Sequence, residues 1–157
     1  MKTNPYILFV TTVLIALFFF TGIEKVWYHA SFVISLGRQP LPGWMKELLE
    51  VGLPAAELIV VALLVFSRTR LLGLWAAALM MLAFAGYTLH AASAPHGYVP
   101  CACGKIFNTL SWGQHFWVNM GFAALAGVGM VLQHRNDINN TEAGDGPASQ
   151  DIAQSPG

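Results

Sequence analysis

Charged residues are scarce in this sequence: only 10% of its 157 residues are Asp, Glu, Lys or Arg, whereas 55% are hydrophobic. Soluble domains carry about 25% charged residues, so these side chains are too few to cover a surface that faces water. Eight basic residues balance eight acidic ones, which leaves no basic face for nucleic acid. The mean hydropathy of +0.55 and several long apolar runs therefore indicate an integral membrane protein.

Cysteine is scarce too. The chain holds two cysteines, too few for a small fold held together by disulfides. Both lie in the segment Cys101-Ala102-Cys103, so their role is predicted to be local chemistry at that position.

Four apolar segments are candidates to cross a bilayer core of about 30 Å. They are predicted at residues 6–23, 51–66, 71–92 and 112–132. The first is interpreted as a membrane helix and not as a cleaved signal peptide, because Gly22-Ile23-Glu24-Lys25 offers no small-x-small cleavage site. The predicted fold is an all-α four-helix transmembrane bundle.

The connections between the spans differ greatly in length. Residues 24–50 and 93–111 are predicted to be long loops, the first with aromatic residues suited to lipid headgroups (Trp27, Tyr28, Phe32 and Trp44). A short interfacial helix is predicted at 44–50. The bundle domain is predicted to cover residues 1–135, and the polar composition of 136–157 predicts a disordered tail.

Basic residues give the orientation of the four spans. On the side of the termini they lie in short flanks: Lys2, Arg68, Arg70 and Arg135. On the other side they are spread over the long loops: Lys25, Arg38, Lys46 and Lys105. Because basic residues close to span ends mark the cytoplasmic side, Arg68 and Arg70 predict cytoplasmic termini and long loops that face an oxidising compartment outside. There a disulfide can persist.

The Cys101/Cys103 pair has the elements of a thiol–disulfide couple: one thiolate to attack and a second thiol to resolve the mixed disulfide. A disulfide across one intervening residue closes a small ring that restricts little chain entropy, so it suits electron exchange better than structural support. Lys105 would favour the thiolate. The alternative is a passive disulfide or two unpaired thiols.

Two further pairs carry polar groups near the predicted outer face. Glu57, one turn inside the second span, is an intramembrane carboxylate, and Lys25 is its candidate ion partner; the pair would stabilise the bundle or pass protons. His115 and Asn119, at positions i and i+4, share one face of the fourth span. His115 would relay protons or stabilise a thiolate, while Asn119 is interpreted as a helix-packing residue.

A metal site is a weaker hypothesis, and no metal ligands are assigned. Cu(I) favours thiolates and thioethers, and candidate ligands besides the cysteines are His90, His96, His115, Met80, Met81 and Met120. The sequence has no repeated Cys/His spacing of the kind that makes a zinc site convincing.

Several motifs together resemble the MauE/DoxX-like family of small, redox-associated membrane proteins. They are Thr21-Gly22-x-x-Lys25, Phe32, Pro54-x-x-Glu57, Pro100-Cys101-x-Cys103-Gly104 and Leu110-Ser111-Trp112-x-x-His115-x-x-x-Asn119. The likeness covers about residues 5–133. Founding members serve methylamine utilisation, where they are needed to make the disulfide-rich small subunit of methylamine dehydrogenase. The resemblance implies four membrane helices and disulfide handling in the periplasm.

The function predicted from these features is thiol–disulfide exchange or electron transfer with a periplasmic thiol or disulfide protein, as a membrane thiol–disulfide oxidoreductase. A quinone in the bundle is compatible with this interpretation, but no sequence feature demands one. Two alternatives stay open: a non-catalytic assembly factor whose disulfide shapes the loop, and a Cu(I)-handling membrane protein.

Overall fold

The computed structural model describes residues 4–39, 41–93 and 111–144, and within these ranges the chain is helical, with no strand. The helices are α1 (Pro5–Trp27), α2 (His29–Gly37), α3 (Gly43–Val65), α4 (Arg70–Ser93) and α5 (Trp112–Gly144). Four of them contain segments long and apolar enough to cross a membrane: Pro5–Trp27, Gly43–Val65, Arg70–His90 and Gly113–Thr141. The prediction of four membrane helices is therefore confirmed.

Local sequence signals set the beginnings of α1 and α5. The Asn4 side chain accepts a hydrogen bond from the Tyr6 amide at 3.1 Å, and Pro5 occupies the first turn of α1, where its missing N–H costs nothing. At α5, the Ser111 amide donates to Gln114 Oε1 at 2.8 Å, and the Gln114 amide donates to Ser111 Oγ at 3.4 Å. This reciprocal capping box fixes the start of α5 directly after the segment that carries the cysteines.

The four long helices form an up-down-up-down bundle. Contacts join α1 to α3, α3 to α4, α4 to α5 and α5 back to α1, so each helix packs against antiparallel neighbours. The short helix α2 packs against α1 and α3. This order places the ends of α4 and α5 that flank residues 94–110 at the same end of the bundle as the last turn of α1.

One half of the bundle, called here the closed half, is packed around apolar side chains from every long helix. Val10, Leu14, Leu64, Leu74 and Ala126 are all buried there. Two glycines permit this packing. A Cβ added to Gly129 would lie 2.9 Å from a Leu74 methyl carbon, and one added to Gly73 would lie 2.9 Å from the Leu64 backbone nitrogen. Small residues of this kind let membrane helices approach closely.

Apolar side chains also cover the outside of the bundle. Exposed examples occur on every long helix: Leu8, Phe9, Val51, Ile59, Leu72, Trp75, Leu79, Trp117 and Val128. In water such a surface would be a liability, whereas a membrane protein presents it to lipid chains. Trp27 and Trp44 are exposed near the ends of their helices, as expected for headgroup-facing aromatics.

The structure corrects several details of the sequence analysis. The first connection contains helix α2, and Phe32 within it is buried, not placed at the headgroups. Residues 44–50 belong to α3, which continues through Pro54 into the span; neighbouring helices make proline tolerable inside membrane helices. Gly86, Gly121 and Gly127 have nothing within 4 Å of an added Cβ among the described residues, so these span glycines are not close-packing positions.

The last helix is also longer than predicted. It continues past the predicted end of the span to Gly144, so residues 136–144 of the predicted tail are helical. Thr141 Oγ1 donates to the Asp137 carbonyl at 3.0 Å, and Gln133 Nε2 donates to Asp137 Oδ1 at 2.8 Å. These bonds within the helix stabilise a polar extension that hydropathy alone does not reveal. The rest of the predicted tail, 145–157, lies outside the described residues.

Candidate functional site

The other half of the bundle, called here the open half, surrounds a cavity of about 250 Å³. Most of its wall is apolar: Leu17, Leu36, Leu41, Met45, Leu49, Leu53, Met81, Ala83, Phe84, Val118 and Phe122. Its polar residues come from all four long helices and the segment after α2: Thr21, Lys25, Gln39, Glu57, Tyr87, His115 and Asn119. Ala83 lines the cavity yet is exposed, so the cavity opens at the surface on the α4 side.

A buried ion pair joins α1 to α3 at the cavity wall. Lys25 Nζ lies 2.8 Å from Glu57 Oε1 and 3.0 Å from Oε2, and it also donates to the Thr21 carbonyl at 3.2 Å. The ammonium group has three N–H donors, and these three contacts give each an acceptor. With both residues at most 3% exposed, the ion pair is sealed from bulk water.

The position of Glu57 differs from the prediction, although its partner does not. Because α3 begins at Gly43, Glu57 lies beyond the middle of the helix, not one turn inside it, so its carboxylate does not reach the end of the span. Gly22 makes room for it: a Cβ on Gly22 would lie 3.3 Å from Glu57 Cβ and 3.5 Å from Oε2. The adjacent residues Thr21 and Gly22 thus bring α1 against the Glu57 side chain.

A second polar contact crosses the open half. The Tyr87 hydroxyl on α4 donates a hydrogen bond to Gln39 Oε1, and Gln39 is 3% exposed. Helix α2, which precedes Gln39, is held to α3 at both of its ends. Lys46 Nζ donates to the Gly37 carbonyl at 2.8 Å, and His29 Nε2 lies 3.1 Å from Glu50 Oε1. Helix α2 therefore closes one end of the cavity and is fastened to α3.

The third polar group is on α5, in the turns that follow the capping box. His115 is buried, and its Nδ1 lies 3.2 Å from the Ser111 carbonyl oxygen. A carbonyl only accepts hydrogen bonds, so Nδ1 carries the hydrogen, and in the neutral ring Nε2 then holds the lone pair. One turn further, Asn119 Nδ2 is buried and has no hydrogen-bond partner among the described residues.

The structure thus brings together Lys25, Glu57, His115 and Asn119 at one cavity, and it contains the ion pair expected between the first two. The remaining predicted site residues, Cys101, Cys103 and Lys105, lie outside the described residues. Sequence reasoning missed Gln39 and Tyr87. A tyrosine inside an apolar span was the available signal for Tyr87, whereas nothing in the sequence pairs it with Gln39.

The hypothesised copper ligands are not gathered within the described part of the chain. His90 is exposed and is absent from the cavity lining, whereas His115 and Met81 are buried. Residues 4–39, 41–93 and 111–144 contain no group of three or more His, Cys, Asp or Glu side chains placed to hold a metal ion. His96 and both cysteines lie outside these ranges.

Four apolar helices around a mostly apolar cavity with a few polar groups define a multi-pass α-helical membrane protein. The model of one protein family, described as methylamine utilisation protein MauE, matches residues 3–132. The chain therefore belongs to the MauE family, which confirms the resemblance seen in its motifs. No curated protein and no solved structure matches it.

Proposed function

We propose that this MauE-family protein is a membrane thiol–disulfide oxidoreductase whose Cys101/Cys103 pair exchanges electrons with a periplasmic protein. In this proposal it resides in the bacterial inner membrane with cytoplasmic termini, and the segment 94–110 faces the periplasm. The family's role in methylamine utilisation suggests that the exchange serves maturation of a disulfide-containing partner.

The proposed reaction is a two-step thiol–disulfide exchange. A thiolate of the partner attacks one sulfur of the Cys101–Cys103 disulfide, which breaks the S–S bond and forms a mixed disulfide. The second partner thiolate then attacks this mixed disulfide, so the partner gains a disulfide and the pair leaves as a dithiol. Two electrons and two protons pass from the partner to the pair, and the reverse direction uses the same steps.

The observation that supports the proposal is that the end of α4 and the start of α5, which flank the cysteine segment, lie at the open half with the polar groups of the cavity. Residues 94–110 leave α4 and enter α5 at the open half, and the chain between Cys103 and Ser111 reaches at most about 28 Å when extended. Both thiols are therefore tethered to the end of the bundle that holds His115 and the Lys25–Glu57 pair.

We assign proton transfer for the thiols to His115, which is buried at the cavity near the start of α5. Its Nδ1 donates to the Ser111 carbonyl at 3.2 Å, which orients the ring, and histidine is the side chain that most often transfers protons in catalysis. Lys105 adds a positive charge two residues after Cys103, which favours the thiolate. Lys25 and Glu57 form the buried polar wall that supports this end of the bundle.

Trapping of the mixed disulfide tests the proposal. Cys101→Ser and Cys103→Ser each remove one thiol, so the remaining thiol can form a mixed disulfide with a partner disulfide, and this chain has no second thiol to release it. We expect one single variant to accumulate a reductant-sensitive adduct with a periplasmic protein after acid quenching and alkylation. The double variant is the matched control and should form none.

Other outcomes would favour the alternative functions. If neither single variant traps an adduct and both lose stability to the same extent, the disulfide is structural and the protein acts as an assembly factor. If the purified protein carries stoichiometric Cu(I) that either substitution removes, the protein handles copper. Either result would contradict the oxidoreductase proposal.

A further inference from the structure

The cavity of the open half has the chemistry of a binding site for an apolar ligand with a polar head. Its wall is almost entirely aliphatic and aromatic, and its polar groups lie in three places around it: the Lys25–Glu57 pair, Tyr87 with Gln39, and His115 with Asn119. Ligand pockets combine a mostly apolar lining with a few placed polar groups in this way.

The volume admits a ring system. A cavity of about 150 Å³ lined by apolar side chains is enough to take up benzene, and this one has about 250 Å³. Phe84 and Phe122 supply aromatic faces, and Met45 and Met81 supply polarisable thioethers. The opening at Ala83 lies within a membrane span, so a ligand dissolved in the bilayer can reach the cavity without crossing water.

The polar groups select for a ligand that accepts hydrogen bonds. Asn119 Nδ2 is a buried donor that lacks a partner among the described residues, and such a group costs free energy until it finds an acceptor. The Lys25 ammonium and the Tyr87 hydroxyl lie on the same wall, but their hydrogens are already donated to Glu57, Thr21 and Gln39, so Asn119 is the donor assigned to the ligand. Carbonyl oxygens on a planar apolar ring match this arrangement.

We propose that this cavity binds the ring of a lipid-soluble quinone, which exchanges electrons with the Cys101/Cys103 pair. The electron transfer rests on the function proposed above, whereas the binding rests on the cavity alone. The dithiol gives up two electrons and two protons and forms an S–S bond; the quinone takes up both and becomes a quinol. In this proposal His115, on the cavity wall, carries the protons from the dithiol to the ring.

The binding test uses purified protein in lipid nanodiscs and a photoreactive short-chain ubiquinone. We expect light-dependent labelling of α4 or α5 peptides, with competition by decylubiquinone. Val118→Phe fills the cavity, so it should reduce labelling and weaken quinone binding, measured by competition, at least about tenfold. Val128→Phe adds the same ring to an exposed position of the same helix and is the matched control. Asn119→Leu should weaken binding about fivefold, the effect of one hydrogen bond.

The outcomes distinguish quinone binding from lipid binding, and they distinguish ligand binding from electron transfer. Equal labelling of Val118→Phe and Val128→Phe, or displacement by a saturated fatty acid as effective as by decylubiquinone, would overturn the binding proposal. The Cys101→Ser/Cys103→Ser protein should bind the quinone normally yet fail to reduce it. Quinone binding with no dithiol oxidation in the wild type would overturn the electron transfer and leave the site in place.

Discussion

The two halves of the bundle are built from the same four helices but are packed differently. In the closed half, Gly73 lies against the backbone of α3 and Gly129 against the side chains of Leu74 and Val10, and the buried cluster there is apolar. In the open half the helices stand around a cavity, and charged and polar side chains form part of its wall. The closed half therefore gains stability from close packing. The open half gives up some of this packing, and it contains a cavity with polar groups instead.

The largest expected difference concerns the ion pair of the open half. Lys25→Met leaves the Glu57 carboxylate buried without its cation, which should lower the free energy of unfolding by about 3–5 kcal/mol. The double variant Lys25→Met/Glu57→Gln should recover part of this loss, because neither charge is then left alone. Equilibrium unfolding in a mixed-micelle SDS titration measures both.

The control for this prediction is Lys46→Met, in the same half of the bundle. Lys46 makes an exposed hydrogen bond to Gly37, so its loss should cost no more than about 1 kcal/mol. Equal stability losses for Lys25→Met and Lys46→Met would contradict the burial of the ion pair.

An intermediate effect is expected from glycine substitutions on α4. Gly73→Ala places a methyl group 2.9 Å from the Leu64 nitrogen and 3.0 Å from the Leu63 carbonyl carbon, and the backbone there has little room to move. We expect a loss of about 1–3 kcal/mol. Gly86→Ala meets nothing within 4 Å and should be neutral or gain up to about 1 kcal/mol from helix propensity. Identical unfolding curves for the two variants would show that the closed half is not tightly packed.

The smallest effect is expected at Tyr87. Tyr87→Phe removes the hydroxyl that bonds Gln39 and should cost about 1 kcal/mol, with faster proteolysis or hydrogen exchange around α2. Tyr6 is 70% exposed, so Tyr6→Phe should change neither property. An unaltered exchange pattern in Tyr87→Phe would mean that the Gln39 contact does not hold α2.

Hydropathy predicted the parts of the fold that depend on composition along the chain. The four spans and the partnership of Lys25 with Glu57 follow from local pattern and from the cost of an isolated charge in a membrane. The same pattern missed α2, because a nine-residue helix between two spans has too few turns to show a clear period.

The cavity could not be predicted from the sequence, for a different reason. Cavities depend on how helices pack sideways, and Gly86, Gly121 and Gly127 show that a glycine in a span does not by itself mark a contact. Placing His115 and Asn119 on one face of the fourth span was achievable from their spacing. Only the three-dimensional structure shows that this face lines the same cavity as Tyr87 and Lys25.

A redox titration of Cys101 and Cys103 tests the central claim most directly. The purified protein in nanodiscs is equilibrated against a series of thiol/disulfide buffers, quenched with acid, and alkylated to count free thiols. An exchangeable pair should titrate at a potential well above about −300 mV, below which structural disulfides lie. A pair that stays oxidised in strongly reducing buffer, or one that never oxidises, would contradict the oxidoreductase account.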